Sequence, residues 1–232
     1  MTITVTGPAA LLHTSGARFK ALTRAVLAFV AEREDATAPA PITHLHIEAV
    51  NNELLLIGTD RKTLAIVRQP LTAASAKFAA RVAVPADTIA CHLDDIEDKT
   101  RVSLAIEPTK ITLAYARTEA HIPAHPSELP WRSAITDSLT SEDVLTDRLM
   151  IDASHLAKLG PAKALAKPRK PMNIHLRGAE HPIIATAGGT FLALITPRQI
   201  PGHPGATLPD QPFDSWLGLL DRCAATTWTG ST

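Results

Sequence analysis

Cysteine is scarce in this chain of 232 residues, which contains only Cys91 and Cys223, far apart in the sequence. Zinc sites use closely spaced thiol pairs, so this spacing predicts no zinc site and favours a reducing, cytoplasmic setting. The ten histidines occur in none of the motifs of zinc proteases, serine hydrolases or phosphate-binding loops. We therefore expect no enzyme activity, no metal and no cofactor.

Net charge is also absent, because 23 basic side chains balance 23 acidic ones. A nucleic-acid partner would therefore require a local concentration of positive charge. No apolar run approaches the roughly 20 residues of a membrane helix, and the first residues lack the pattern of a signal peptide. We expect a cytoplasmic protein that makes no membrane contact.

Short apolar runs separated by turn residues are abundant, in a chain that is 45% hydrophobic. Residues 44–50, 54–57 and 64–67 form three such runs, and Asn51-Asn52 and residues 58–62 supply the turns between them. This pattern predicts a three-stranded meander. A helix is predicted before it.

That helix spans residues 16–34, where apolar residues follow helical spacing, with Ser15 as its N-cap and an edge strand at residues 2–6 before it. The order strand, helix, three strands then returns twice. Its second copy spans residues 78–122 with a helix at 86–96, and its third spans 148–195 with a helix at 155–166. The sequence therefore predicts an α+β fold of three βαβββ units.

Domain boundaries follow from the same units and from composition. Residues 1–135 hold two complete units, and residues 148–200 hold the third. Residues 136–147, rich in Ser, Thr and Asp, are predicted to be a linker. Residues 201–232 are predicted to be a flexible tail, rich in Pro and Gly, with one short apolar segment.

Charge is distributed unevenly among the three predicted helices. The first is basic in its first half and carries Glu32 and Glu34 at its end, and the third is basic. The helix at 86–96 and the residues after it are acidic. The basic positions are Arg18, Lys20, Arg24, Lys158, Lys163 and Lys167. Two interpretations stay open for them: a solvated helix face, or a face that contacts phosphates.

Three blocks of sequence stand in a recognisable order. They are residues 55–65 (LLIGTDRKTLA), residues 82–87 (VAVPAD) with Leu129-Pro130, and residues 150–156 (MIDASHL) with 191–198 (FLALITPR). In this order they resemble the Thr-Asp-Gly-His-Arg-Leu-Ala strand, the second half of the middle domain and the last unit of the bacterial sliding clamp, the beta subunit of DNA polymerase III. The resemblance covers most of residues 15–200.

The resemblance implies the DNA-clamp fold, with helices on one face and antiparallel sheets on the other. It also implies a ring that encircles duplex DNA without sequence specificity and tethers a DNA polymerase. Such a ring needs weak attraction to phosphates and no base readout, a role that falls to the six basic positions above. The acidic middle helix argues against a uniformly positive hole.

The resemblance further implies a pocket that captures a short motif of the polymerase and other partner proteins. Carried over residue by residue, its walls are Thr59, Arg61, Lys62 and Leu64 on one side and Ile195, Thr196, Pro197 and Arg198 on the other. Leu64 and Ile195 could equally be ordinary core residues. The alternative function is a clamp-derived regulator that binds such peptides without encircling DNA.

Departures from the family concern both the pocket and the ring. Arg61 stands where the family has glycine, and Thr196 stands where it usually has methionine. A clamp ring contains twelve units, so four copies of this chain would close one, whereas two copies could pair their third units, or the chain could remain open. We expect a homo-oligomer. Residues 211–220 are loosely similar to the motif that clamps bind, or they cover apolar surface.

Overall fold

The computed structural model describes residues 10–33, 41–50, 52–74, 80–140, 151–166, 171–176 and 181–197. The chain divides into two compact units, Met1–Arg198 and Gln199–Thr232, and all the described residues belong to the first. Its strands are β1 Ala10–Ser15, β2 His44–Val50, β3 Glu53–Thr59, β4 Thr63–Pro70, β5 Ala73–Ala74, β6 Ala80–Pro85, β7 Arg101–Ile106, β8 Lys110–Tyr115, β9 Thr118–Pro123, β10 His125–Pro126, β11 Asn173–His175, β12 Ile183–Ala187 and β13 Phe191–Ile195. Its helices are α1 Gly16–Leu27, α2 Ala86–Leu93, α3 Trp131–Thr140 and α4 Ala153–Ala157, with a 3₁₀ helix at Pro161–Leu165.

The strands form two antiparallel sheets. One has the order β5-β1-β7-β8-β9, and the other has the order β10-β6-β2-β3-β4-β13-β12-β11. The predicted meander is confirmed as β2, β3 and β4. The first strand of each of the first two units joins the sheet of the other unit, because β1 pairs with β7 and β6 pairs with β2. The third unit extends the larger sheet, since β13 pairs with β4.

Helix α1 begins at the predicted cap, where the Ser15 side chain accepts a hydrogen bond from the Arg18 amide at 3.3 Å. It ends at Leu27 rather than at residue 34, because the chain tightens into a turn there and the Ala31 amide donates to the Ile42 carbonyl at 3.0 Å. This turn leaves Phe29 fully buried in the core. The predicted strand at 2–6 lies outside the described residues, and the strand that leads into α1 is β1.

The other two predicted helices are also shorter than expected. Helix α2 ends at Leu93 rather than near residue 96. In the third unit, the predicted helix at 155–166 is replaced by α4 and the separate 3₁₀ helix. Pro161 explains this break, since a proline lacks the amide proton and clashes with the preceding turn. Asp152 caps α4 by accepting from the Ser154 amide at 2.9 Å.

The main hydrophobic core lies between α1, α2, the 3₁₀ helix and the inner faces of both sheets. Gly58 allows β3 to approach α1 closely, because a Cβ at this position would stand 2.6 Å from the Val26 carbonyl oxygen. A second, smaller cluster lies on the opposite, outer face of the larger sheet, beneath α3. Its buried members are Leu55, Ile57, Leu64, Ile66, Ile184 and Leu194.

Helix α3 was not predicted. The segment expected to begin the linker at residue 136 is helical as far as Thr140, and residues 141–150 lie outside the described part of the chain. Trp131 and Ile135, one helical turn apart, pack against the outer cluster. The outer face of the larger sheet therefore carries a helix of its own.

Candidate functional site

A cavity of about 460 Å³ opens on the outer face of the larger sheet, between the β3–β4 turn, the end of β13 and α3. Its apolar lining comes from all three elements. The apolar lining residues are Ile42, Leu64, Leu129, Pro130, Trp131, Ala134, Pro182 and Leu194. Polar groups stand around them, so the cavity combines an apolar surface with places for hydrogen bonds and charges.

The first wall is the β3–β4 turn with its flanking residues Thr59, Arg61, Lys62 and Leu64. Asp60 organises this turn by accepting hydrogen bonds from the amides of Lys62 at 3.0 Å and Thr63 at 2.7 Å, and from the Thr63 hydroxyl at 2.8 Å. The Thr59 hydroxyl donates to the Thr63 carbonyl at 2.7 Å. These bonds hold the wall in one shape.

The second wall comes from the third unit. Leu194 and Thr196 line the cavity, together with His181 and Pro182. Ile195 does not line it, because side chains alternate along a strand and Ile195 points into the main core, where it is fully buried. Pro197 is buried and is not a lining residue, and Arg198 lies outside the described residues.

The third wall is α3 and the residues before it, which sequence reasoning missed. Besides its apolar members it contributes Asp137 and Ser138. The spacing of Trp131, Ile135 and Leu139 at every fourth residue was the available signal for an amphipathic helix. The Ser, Thr and Asp residues around them had suggested a linker instead.

Glu48 on β2 anchors this third wall. Its carboxylate is almost fully buried and accepts hydrogen bonds from the Trp131 indole at 3.1 Å, from Arg81 at 3.2 Å and from Arg132. Burial alone would raise the pKa of Glu48, but the hydrogen bonds from Arg132 and Trp131 and the charges of Arg132 and Arg81 outweigh it, so the pKa lies below its usual value.

His46, two residues before Glu48 and on the same face of β2, ties down the chain that leads to α3. Its Nε2 lies 2.8 Å from the Pro41 carbonyl oxygen, which can only accept, so this nitrogen carries the proton. Its Nδ1 lies 2.7 Å from the Ser127 hydroxyl. The outer helix is thus attached to the sheet through buried polar contacts as well as apolar ones.

Lys158, one of the six positions assigned to phosphate contacts, is used within the fold. Its Nζ lies 2.5 Å from Asp60 Oδ2, and both side chains are less than one-fifth exposed. Burial alone would raise the pKa of Asp60, but hydrogen bonds from Lys158 and Thr63 and the charge of Lys158 outweigh it and lower the pKa. The pair links the third unit to the cavity wall.

The basic residues of α1 have partners as well. Lys20 pairs with Asp98 at 2.5 Å, and Arg24 pairs with Asp94 at 2.9 Å. Both acids follow α2, in the acidic segment that the sequence showed. The hydrogen bond from Lys20 and its charge lower the pKa of Asp98.

Of the remaining assigned positions, Arg18 donates from Nε and Nη2 to the Gln69 side-chain oxygen at 3.1 and 3.0 Å. Lys163 is exposed, with no ion pair to the described residues. Lys167 lies outside the described residues. Among the five assigned positions that the structure describes, Arg18, Lys20, Arg24 and Lys158 are therefore engaged with other residues of the fold.

Within the described ranges, no three or more His, Cys, Asp and Glu side chains are grouped as a metal site would require. None of the helices in these ranges is both long and apolar enough to cross a membrane.

Known structures with a similar fold cover most of this chain. A sliding clamp from Pseudomonas aeruginosa, the beta subunit of DNA polymerase III bound to griselimycin, matches 84% of this chain and 66% of its own, at a TM-score of 0.60 and 14% identity. A putative DNA polymerase III beta subunit from Eubacterium rectale matches 86% and 68%, at 0.64 and 12%. The A. fulgidus PCNA bound to the C-terminal region of FEN-1 matches 82% and 99%, at 0.58 and 16%. This chain has the DNA sliding-clamp fold.

The predicted fold class and the resemblance to bacterial clamps are thus confirmed. Because the sequence identities are low, the likeness is one of fold. No protein-family model matches the sequence, and no curated protein matches it. The chain spans 66% of the length of the Pseudomonas clamp. In the clamp fold of this chain, the β3–β4 turn is the segment that is similar in sequence to the family's Thr-Asp-Gly-His-Arg-Leu strand.

Proposed function

We propose that this chain is a cytoplasmic clamp-fold protein that binds short linear peptides of partner proteins, a DNA polymerase among them, in the outer-face cavity. The observation that carries the proposal is the cavity itself, with the clamp-like turn as one wall. Its volume of about 460 Å³ lies in the range of ligand sites, and its apolar lining with a few polar groups suits an apolar peptide anchor.

Two of the structural neighbours are bound to a ligand. The Pseudomonas clamp is bound to griselimycin, and the A. fulgidus PCNA is bound to the C-terminal region of FEN-1, which supports a segment of a partner protein as the ligand. In this chain, five residues carried over from the family resemblance lie together around one cavity: Thr59, Arg61, Lys62, Leu64 and Thr196. A buried apolar anchor within a polar rim is the usual source of affinity in such sites.

A blocking variant tests this function. Ala134 is exposed on α3 and lines the cavity, so Ala134→Trp should fill the cavity without disturbing a buried contact. We expect it to weaken binding of a fluorescent peptide containing glutamine, leucine and phenylalanine by at least about tenfold, the loss of one well-buried anchor. Fluorescence anisotropy measures the affinity. Ala153→Trp, at an exposed position of α4 outside the cavity, is the matched control, and equal affinity of both variants and the wild type would contradict the proposal.

Encircling DNA is a second candidate function. It is favoured because α1, α2 and the 3₁₀ helix all lie on the same side of the sheets. It requires several copies of the chain. The edge strand β11 supports self-association, since Ile174 and the adjacent Leu176 are each 53% exposed. The paired cations of α1 support the alternative, a clamp-derived regulator that does not hold DNA.

Assembly mass and retention on DNA separate these two functions. A tetramer by light scattering, with retention on circular duplex and loss from linear duplex, would support encirclement and processivity. A monomer at high concentration would leave peptide binding as the function. Replacing the two exposed apolar residues in Ile174→Ser/Leu176→Ser should reduce any assembly. Leu156→Ser, at an exposed residue of α4 away from β11, serves as a control for loss of apolar surface.

A further inference from the structure

The first two units complete each other's sheets by exchanging strands. The strand that leads into the helix of each unit pairs with the first strand after the helix of the other unit, as β1 does with β7 and β6 does with β2. The residue directly before the helix lies opposite the first residue of the receiving strand. Ser15 thus lies opposite Arg101, and Pro85 lies opposite His44. One rule therefore describes both exchanges.

In the third unit, β11 corresponds to the receiving strand, and no described strand crosses over to pair with it. It pairs with β12 on one side and ends the larger sheet on the other. Residues 151 and 152, which lead into α4, are not part of a strand, and residues 148–150 of the predicted first strand lie outside the described part of the chain. Within the described ranges, the third unit takes no part in such an exchange.

The apolar residues at β11 lack the cover that the exchange gives elsewhere. Counted from the first residue of the receiving strand, the second and fourth positions are at most 2% exposed in the first two units; they are Leu45, Ile47, Val102 and Leu104. In the third unit these positions are Ile174 and Leu176, each 53% exposed. Ile174 lies opposite Ala185, which is fully buried in the main core, so Ile174 lies on the face of the sheet that carries the core.

We propose that the third unit of a second copy of the chain covers this edge, so that two copies build one shared domain from their third units. Under the rule of the first two units, Asp152 lies opposite the partner's Asn173, and Ile151 lies opposite the partner's Ile174. Each copy gives the same segment and accepts it at the same edge, which makes the contact two-fold and self-complementary. The pairing also satisfies the backbone groups of the exposed edge.

Two copies joined in this way hold six units in three complete domains. Because the contact is two-fold and occupies the β11 edge of both copies, assemblies built on it contain an even number of chains. The shared domain specifies the contact between copies that the second candidate function, encircling DNA, requires. It goes beyond peptide binding and is independent of it, since the walls of the outer-face cavity all come from one chain.

Cysteine cross-linking between two differently marked chains tests the register. Full-length protein with Cys91→Ser and Cys223→Ser carries Asp152→Cys in one preparation and Asn173→Cys in the other, and the two are mixed when dilute and then concentrated. Directly opposite residues of an antiparallel pair have Cα atoms about 4.5–5.5 Å apart, which suits a disulfide. We expect mild oxidation to give a covalent dimer on a non-reducing gel from the mixture, and none from either preparation alone.

Two further mixtures check this result. Ile151→Cys with Ile174→Cys tests the neighbouring pair of the same register and should also cross-link. Asp152→Cys with His175→Cys is the matched control, because its thiols are two residues out of register, and it should lose most of the dimer. Cross-linking of the control as efficiently as the in-register mixtures would overturn the proposal, as would a disulfide that closes within one chain of Asp152→Cys/Asn173→Cys.

Hydrogen exchange of the wild type gives a measurement that does not depend on any variant folding. The amides of residues 173–176 should exchange more slowly as the protein concentration rises, because dimerisation covers the β11 edge. Concentration-independent exchange, or a monomer or trimer by light scattering, would overturn the shared domain. A monomer that binds peptide would leave the proposed peptide-binding function in place, whereas a dimer that binds no peptide would remove that function and keep the shared domain.

Discussion

Charged residues are arranged differently on the two faces of the larger sheet. On the face covered by α1 and α2, the helical face, Lys20 and Arg24 form ion pairs with acids that follow α2. On the outer face, Arg61 and Lys62 stand at the rim of an apolar cavity, with Asp137 on the opposite side. A chain with no net charge can therefore place some charges in ion pairs between its helical segments and others around an apolar cavity. The local arrangement of the charges, rather than their total, distinguishes the two faces.

The Asp60–Lys158 pair belongs to both regions, since its carboxylate shapes the cavity wall and its ammonium comes from the third unit. Removing the acid would break the turn and leave a largely buried lysine without its partner. Asp60→Ala should therefore lower the free energy of unfolding by about 3 kcal/mol and also weaken peptide binding. Urea unfolding and anisotropy measure the two effects.

Asp95→Ala is the control for that experiment, because Asp95 is exposed and forms no ion pair with the described residues. It should change the free energy of unfolding by less than about 0.5 kcal/mol. If Asp60→Ala behaved like this control, the pair would not connect the two regions energetically.

Glu48 gives the outer face its own pH dependence. Its pKa is lowered in the folded state, so the carboxylate stabilises the fold above its unfolded pKa, and that contribution is lost as pH falls through the lower folded pKa. Asp60 acts in the same direction. Stability should therefore fall below about pH 4, where the unfolded carboxyls begin to bind protons.

Glu48→Gln should lower the free energy of unfolding by about 2 kcal/mol at pH 7, because the amide loses the charge-assisted hydrogen bonds of Arg132 and Arg81. It should also make the urea midpoint less sensitive to acid. Glu128→Gln alters an exposed carboxyl near α3 and should keep the wild-type pH profile. An unchanged profile in Glu48→Gln would show that α3 does not depend on this anchor.

On the face of the larger sheet that α1 and α2 cover, substituting the acids of the ion pairs should make the cations available to DNA. Asp94→Asn/Asp98→Asn removes the partners of Arg24 and Lys20, so duplex affinity should rise several-fold and its salt dependence should steepen by about 0.9 for each new phosphate contact. The free energy of unfolding should change by less than about 1 kcal/mol, since exposed ion pairs contribute little to stability. Anisotropy with a labelled duplex measures the affinity.

Asp95→Asn/Glu97→Gln alters net charge equally in the same acidic segment and leaves both pairs in place. If this control raised DNA affinity as much as the release of the pairs, total charge would explain the effect. A larger rise in the paired-acid variant would show that ion pairing withholds these cations from DNA.

The parts of the fold that local patterns specify were predictable. The short apolar runs between turn residues identified β2, β3 and β4, and the Ser15 cap identified the start of α1. Helix lengths were less predictable. A helix ends where tertiary hydrogen bonds become available. After α1, for example, the Ala31 amide donates to the Ile42 carbonyl.

The candidate site was predictable for the β3–β4 turn and for Thr196, but not for α3. The β3–β4 turn carries a recognisable sequence, so its residues were identified. The α3 wall carries none, and its role depends on Glu48, which is distant in sequence. Ile195 was assigned to the wrong face of β13, because the strand register that turns it into the core is set by pairing with β4.

Sequence alone determined the repeating units, the turn chemistry of the cavity wall and the zero net charge, because these depend on neighbouring residues and on composition. The tertiary structure decided which cations are matched by acids, which side of a strand faces the core and which helix covers the outer sheet. These features depend on distances between residues that are far apart in the chain, such as the 2.5 Å between Asp60 and Lys158.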